Sequence, residues 1–125
     1  MSLPTDREGT LCKFSINGEE GYFVVNEDSV GKPREIFIYM NRIGSSTHGW
    51  ADCFAVAIST LLRSDYPLEK LIDKFEFVKF EPFGLTNNKE IPNANSPVDF
   101  IMKWLKNKYL KGVRNEKTES KKSKI

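Results

Sequence analysis

A change of apolar period across a short run of small residues constrains this chain more than any other feature. Glu35-Ile36-Phe37-Ile38-Tyr39-Met40 is apolar at consecutive positions, the pattern of a central strand with one face covered by helix. Further on, Trp50, Cys53, Phe54, Ala57, Ile58, Leu61 and Leu62 recur at helical spacing, while Ala51, Ala55 and Val56 fill much of the other face. The pattern predicts a buried helix over 50–63, with Trp50 and Cys53 in the core. Between strand and helix lies Gly44-Ser45-Ser46-Thr47-His48-Gly49, read as a strand-to-helix loop.

Such a loop offers chemistry. Unsatisfied N–H groups at a helix start and the helix dipole favour an anion, and small residues admit a phosphate close to the backbone. Gly44, Ser45, Ser46, Thr47, His48, Gly49 and Asp52 are therefore the candidate ligand- or anion-binding residues. The same residues also serve an ordinary helix cap, with Ser46 or Thr47 satisfying helix N–H groups. A P-loop is excluded, because Trp50 and Ala51 stand where its lysine and hydroxyl belong. Asp52 is expected in the first helical turn, favouring the dipole or bonding the backbone at 45–46.

No catalytic residue is assigned. His48 is the only histidine, so no multi-His metal site exists in the chain. His48 and Cys53 point about 140° apart if both are helical, which argues against a catalytic pair. Cys53 on the apolar stripe reads as a buried, inert thiol. Glu81 and Glu90 lie in an irregular stretch from which they can reach the loop. An enzyme built on Asp52, His48 or Glu81 is the weakest of the readings.

The remaining elements complete an α+β domain. Cys12, Phe14 and Ile16 alternate with Lys13 and Ser15, Asn17-Gly18 supplies turn chemistry, and Gly21 to Val25 forms a second strand. A small, mostly antiparallel sheet is expected over about 10–41. A second helix over 67–76 turns Leu68, Leu71, Ile72 and Phe75 inward. A third, over 97–111, starts on a Ser96 cap with Pro97 and Asp99, and Gly112 is placed to stop it. Val98, Ile101, Leu105 and Tyr109 form its apolar stripe, with Phe100 and Trp104 also read as core. Phe77 to Phe80 reads as a short edge strand. The expected organisation is a leader over 1–9, one domain over 10–112 and a basic, disordered tail over 113–125.

With 125 residues, 39% of them hydrophobic, the chain is long enough for one core without disulfides or a structural metal. The formal charge of +2 is too small to imply a nucleic-acid partner, and the tail that carries most of the excess lacks stacking aromatics. Two distant cysteines without a CxxC pair fit a reducing, cytoplasmic location. No apolar run approaches the roughly 18 residues that a membrane span needs. An unpaired sheet edge in so small a domain points to a homo-oligomer.

The stretch from about Phe14 to Leu110 resembles the C-terminal accessory domain, also called TSCPD, of vitamin B12-dependent (adenosylcobalamin, class II) ribonucleotide reductases. The residues that carry the resemblance begin with Gly21-Tyr22, Glu35-Ile36-Phe37-Ile38, Gly44-Ser45 with Gly49, Asp52 with Phe54-Ala55, and Pro67-Leu68. They continue with Phe75, Phe80-Glu81-Pro82 with Gly84, Glu90-Ile91-Pro92, Ser96 with Val98-Asp99, and Trp104-Leu105. Order and approximate spacing hold throughout.

The resemblance implies a role in deoxyribonucleotide metabolism. The family's radical chemistry needs a barrel cysteine, a reducing cysteine pair, a cobalamin site and nucleotide specificity sites. None of these is matched here, so reductase activity by this chain alone is not implied, and adenosylcobalamin belongs to the family's upstream barrel. The loop also lacks the cysteine motif of some relatives, and Lys111 to Ile125 lacks the cysteine-rich end that typically follows the domain. The expected function is a non-catalytic accessory or regulatory domain that binds a reductase catalytic chain or a nucleotide. The alternative is a stand-alone nucleotide- or anion-binding oligomeric module, phage-borne forms included, with no reductase partner.

Overall fold

The computed structural model describes residues 5–41 and 45–110, with Ser45 by its backbone alone. Gly44, Gly112 and the tail over 113–125 lie outside the described residues. Strands β1 (Gly9–Ile16), β2 (Glu19–Glu27) and β3 (Pro33–Met40) form one antiparallel sheet in the order β1-β2-β3. Helix α1 spans Ser45–Arg63, α2 Leu68–Phe75 and α3 Pro97–Leu105, the last followed by a π-helical turn, Lys106–Leu110. A two-residue pair, β4 (Gly84–Leu85) with β5 (Asn93–Ala94), completes the α+β fold.

The hairpin forms where turn chemistry and alternation agree. Asn17 and Gly18 take φ of 50° and 82°, the left-handed pair that a two-residue turn between twisted strands requires. Phe14 and Ile16 from β1, Phe23 and Val25 from β2, and Ile36 and Ile38 from β3 share one buried face. Phe100 of α3 fills the centre, its ring 5.3 Å from that of Phe14 and 6.3 Å from that of Phe23. Leu71 and Ile72 of α2 and Ile101 and Leu105 of α3 close the core, as their spacing predicts. Beyond it, Tyr109 donates a 2.7 Å hydrogen bond to Glu27. Burial and that carboxylate hold its phenol above the ordinary range.

Several expectations are corrected. The central strand is β2, and β3 is an edge. The outward side chains of β3, Phe37 and Tyr39, are 44% and 46% exposed, so its two-sided apolarity does not reflect two-sided burial. Helix α1 begins five residues before position 50 and takes in most of the expected loop. Ala55, Ile58 and Leu62 form its buried stripe, whereas Trp50 is 77% exposed and Cys53 is exposed. Apolar residues cover more than half of this helix's circumference, and periodicity alone does not choose between adjacent stripes. Phe77 to Phe80 forms no strand and is held instead by the start of α3.

Neither long edge of the sheet is fully open. On β3, Ser59 of α1 accepts from the Ile36 N–H (2.9 Å) and donates to the Ile36 carbonyl (3.2 Å), standing in for a neighbouring strand. On β1, Ser15 exchanges hydrogen bonds with Asn87, and the Asn17 N–H donates to the Leu85 carbonyl at 2.8 Å. Among the described residues no helix is long and apolar enough to cross a membrane.

Candidate binding cleft beside helix α1

Positions 47, 50, 51 and 54 of α1 fall on one helical face at i, i+3, i+4 and i+7. That face forms one wall of a cleft of about 490 Å³, within the usual range of small-ligand or anchor-residue sites. Ile38 and Met40 of β3, Phe75 of α2, and Pro97, Val98 and Ile101 of α3 form the floor and back. Val78, Phe80, Glu81 and Pro82 form the opposite wall. Phe54 and Phe75 meet edge to face with centroids 5.4 Å apart. Trp50, Val78 and Phe80 stand at the mouth, each substantially exposed.

The opposite wall is irregular chain, so its position needs a physical cause. Ser96 supplies part of it, capping α3 by accepting from the Asp99 N–H at 2.9 Å while donating to the Val78 carbonyl at 2.7 Å. Asp99, completely buried, accepts from the N–H groups of Phe77 (2.7 Å) and Asn95 (2.8 Å) and pairs with Lys103 at 2.5 Å. Asn95 also donates to the Phe77 carbonyl and accepts from the Phe80 N–H. The first turn of α3 therefore places the wall that faces α1.

The expected site residues separate. Thr47, half-buried, lines the cleft. Ser46, His48 and Gly49 are exposed on the first turns of α1. His48 Nε2 lies 2.9 Å from the Met40 carbonyl oxygen; since a carbonyl only accepts, that nitrogen carries the proton and fastens α1 to the end of β3. Asp52 lies beyond the first turn and borders a different groove, with Phe37, Tyr39, Val56 and Arg63. Glu81 reaches the cleft, whereas Glu90 sits in a shallow hollow with Trp104 and Lys108.

Chemically, the cleft suits an apolar occupant. Glu81 is the one ionisable side chain among its described lining residues, which include no Lys or Arg to neutralise an anion. Among the described residues no group of three or more His, Cys, Asp or Glu is placed to hold a metal ion. Cys12 is half-buried, which pushes its thiol up. Sequence reasoning missed Val78, Phe80 and Pro82 as site residues. Their signal was the density of aromatic and proline residues over 75–83, a stretch without period.

The family model for the TSCPD domain matches residues 3–109, nearly the whole described chain. The chain belongs to the TSCPD domain family. A vitamin B12-dependent ribonucleotide reductase of Rhodopirellula baltica is 42% identical over 110 residues, covering 88% of this chain and 11% of that protein. The proteins of the same name from Streptantibioticus cattleyicolor and Agrobacterium fabrum are 38% and 37% identical, covering 82% and 86% of this chain. This TSCPD chain thus spans only 9–17% of the length of the curated relatives it matches. No solved structure matches it.

Proposed function

We propose that this TSCPD chain is a non-catalytic accessory domain of B12-dependent ribonucleotide reduction that binds a reductase catalytic chain through the apolar cleft beside α1. The observation that carries this reading is the asymmetry of the match. Relatives named as reductases align with nearly all of this domain, yet the domain is a small fraction of each. The cleft supports a protein segment as the ligand, because exposed aromatic and aliphatic walls recognise apolar side chains. The reading leaves adenosylcobalamin to the catalytic chain: the only imidazole is engaged with Met40, and a cleft of about 490 Å³ does not enclose a corrinoid. It places the protein in the cytoplasm, with deoxyribonucleotide metabolism.

The test is calorimetric titration of the chain into a purified B12-dependent reductase catalytic chain, repeated with Trp50→Ala and Phe80→Ala. Binding that either substitution weakens by about tenfold or more supports the proposal. Absence of binding throughout the micromolar to millimolar range, or binding that both variants retain, overturns it. Heat on titration with ribonucleotides or deoxyribonucleotides, without any with the reductase, favours the stand-alone nucleotide-binding module instead.

A further inference from the structure

A second groove, of about 280 Å³, runs along the opposite flank of α1, where the helix meets the outer face of β3. Phe37 and Tyr39 form one wall, and Val56, 64% exposed, stands on the other. Asp52 and Arg63 also line it. On an ideal helix Asp52, Val56, Ser59 and Arg63 lie within about 60° of one another, a single stripe. Apolar side chains gathered and exposed in this way mark an interaction surface. The backbone edge of β3 at Ile36 is not what a partner meets, since Ser59 already bonds both of its polar groups.

The charges on the stripe select the partner. Asp52 and Arg63 are about 16 Å apart along the helix axis, at equal distances from a point between residues 57 and 58, close to Val56. Among the described residues neither belongs to an ion pair, and Arg63 makes only a 3.4 Å contact with the Ser59 carbonyl. Opposite charges placed symmetrically about an apolar centre are complementary to themselves. A two-fold axis through that centre sets two α1 helices antiparallel, Asp52 of each against Arg63 of the other. A parallel arrangement would oppose like charges and is disfavoured.

We infer that this groove is an isologous interface for a second copy of this chain, with paired Val56, Phe37 and Tyr39 side chains at its centre and two Asp52–Arg63 ion pairs at its rims. The surface is distinct from the cleft beside Trp50, which stays open in such a dimer.

Sedimentation equilibrium of the full 125-residue chain from micromolar to millimolar concentration tests this. A monomer–dimer equilibrium is expected. Asp52→Arg and Arg63→Asp each weaken it by about tenfold or more, since each opposes like charges. The double variant Asp52→Arg/Arg63→Asp restores it, and an equimolar mixture of the two single variants forms a heterodimer. Val56→Glu dissociates the dimer with an unchanged circular dichroism spectrum, because the position is exposed in one copy. A monomer throughout overturns the inference, even if the groove proves to bind another protein. So does a dimer that Asp52→Arg and Val56→Glu leave intact.

Discussion

The buried carboxylate of Asp99 accepts a 2.7 Å hydrogen bond from the backbone N–H of Phe77, 22 residues earlier in the chain. This bond, with that from the Asn95 N–H, turns one side chain into the anchor of the cleft wall. Asp99→Ala is expected to lower the unfolding free energy by about 2–4 kcal/mol, because it leaves two N–H groups and Lys103 without their acceptor. Asp99→Asn keeps the shape but loses the charge and one acceptor oxygen, so a smaller loss is expected. Urea unfolding measures both, and hydrogen exchange at Phe77 and Asn95 reports whether the wall itself has loosened. Unchanged protection at both amides in Asp99→Ala would contradict the anchoring role.

Arg34 joins the β2–β3 connection to the end of α1. It donates to Asp28 (2.8 Å), to Asp65 (2.6 Å) and to the Leu62 carbonyl (2.7 Å). The guanidinium, followed by the Lys32 N–H, holds the Asp28 carboxyl below its ordinary value of 3.8, and Arg34 lowers Asp65 likewise. With its folded value depressed, each carboxyl binds fewer protons in the native than in the unfolded state. Their contribution is whole well above pH 3.8 and is lost as pH falls through the folded values. Urea midpoints measured from pH 6 to pH 3 should therefore fall at the acid end. Asp28→Asn should be less stable at pH 6 and show a shallower acid decline; an equally steep decline counts against the assignment.

Two glycines of the family pattern make opposite predictions. A Cβ at Gly21 would lie 2.7 Å from the Tyr39 carbonyl oxygen and 2.8 Å from Phe14 Cζ, so Gly21→Ala is expected to cost about 1–3 kcal/mol. At Gly49, within α1, a Cβ meets open space, so Gly49→Ala is expected to stabilise by up to about 1 kcal/mol through helix propensity. Thermal denaturation of the pair separates the two. A destabilised Gly49→Ala would speak for a non-helical segment at 45–49.

Trp50 and Ile101 line the same cleft from opposite ends of the burial scale. Trp50→Ala should change stability by no more than about 0.5 kcal/mol, whereas Ile101→Ala should cost about 2–5 kcal/mol. Chemical denaturation of both variants checks this. A Trp50→Ala variant as damaged as Ile101→Ala would mean that the tryptophan is a core residue after all.

Much of the scaffold was legible in the sequence because it rests on local rules. Asn17-Gly18 between alternating segments specifies a hairpin, and Ser96-Pro97 with Asp99 specifies a helix start. The inward faces of α2 and α3 follow from clear amphipathic spacing. The 44–49 segment misled for an equally local reason. Gly, Ser and Thr disfavour a helix on propensity, but tertiary contacts, His48 to Met40 among them, carry α1 through them. The cleft was not legible, since its second wall has no period and is placed by hydrogen bonds from residues some twenty positions away.

By itself, the sequence determined the α+β class, the hairpin, the three α-helices found among the described residues and the family, since each depends on neighbours along the chain or on residue order. Only the tertiary structure decided which flank of α1 faces the core, that β2 rather than β3 is central, and that Thr47 and Asp52 serve different grooves. The reason is that the apolar residues of α1 cover more than half of its circumference, so packing against β3 and the wall held by Asp99 makes a choice that periodicity leaves open. The Gly44–Gly49 run, first legible as a loop, thereby becomes mainly the opening turns of a helix beside an apolar cleft.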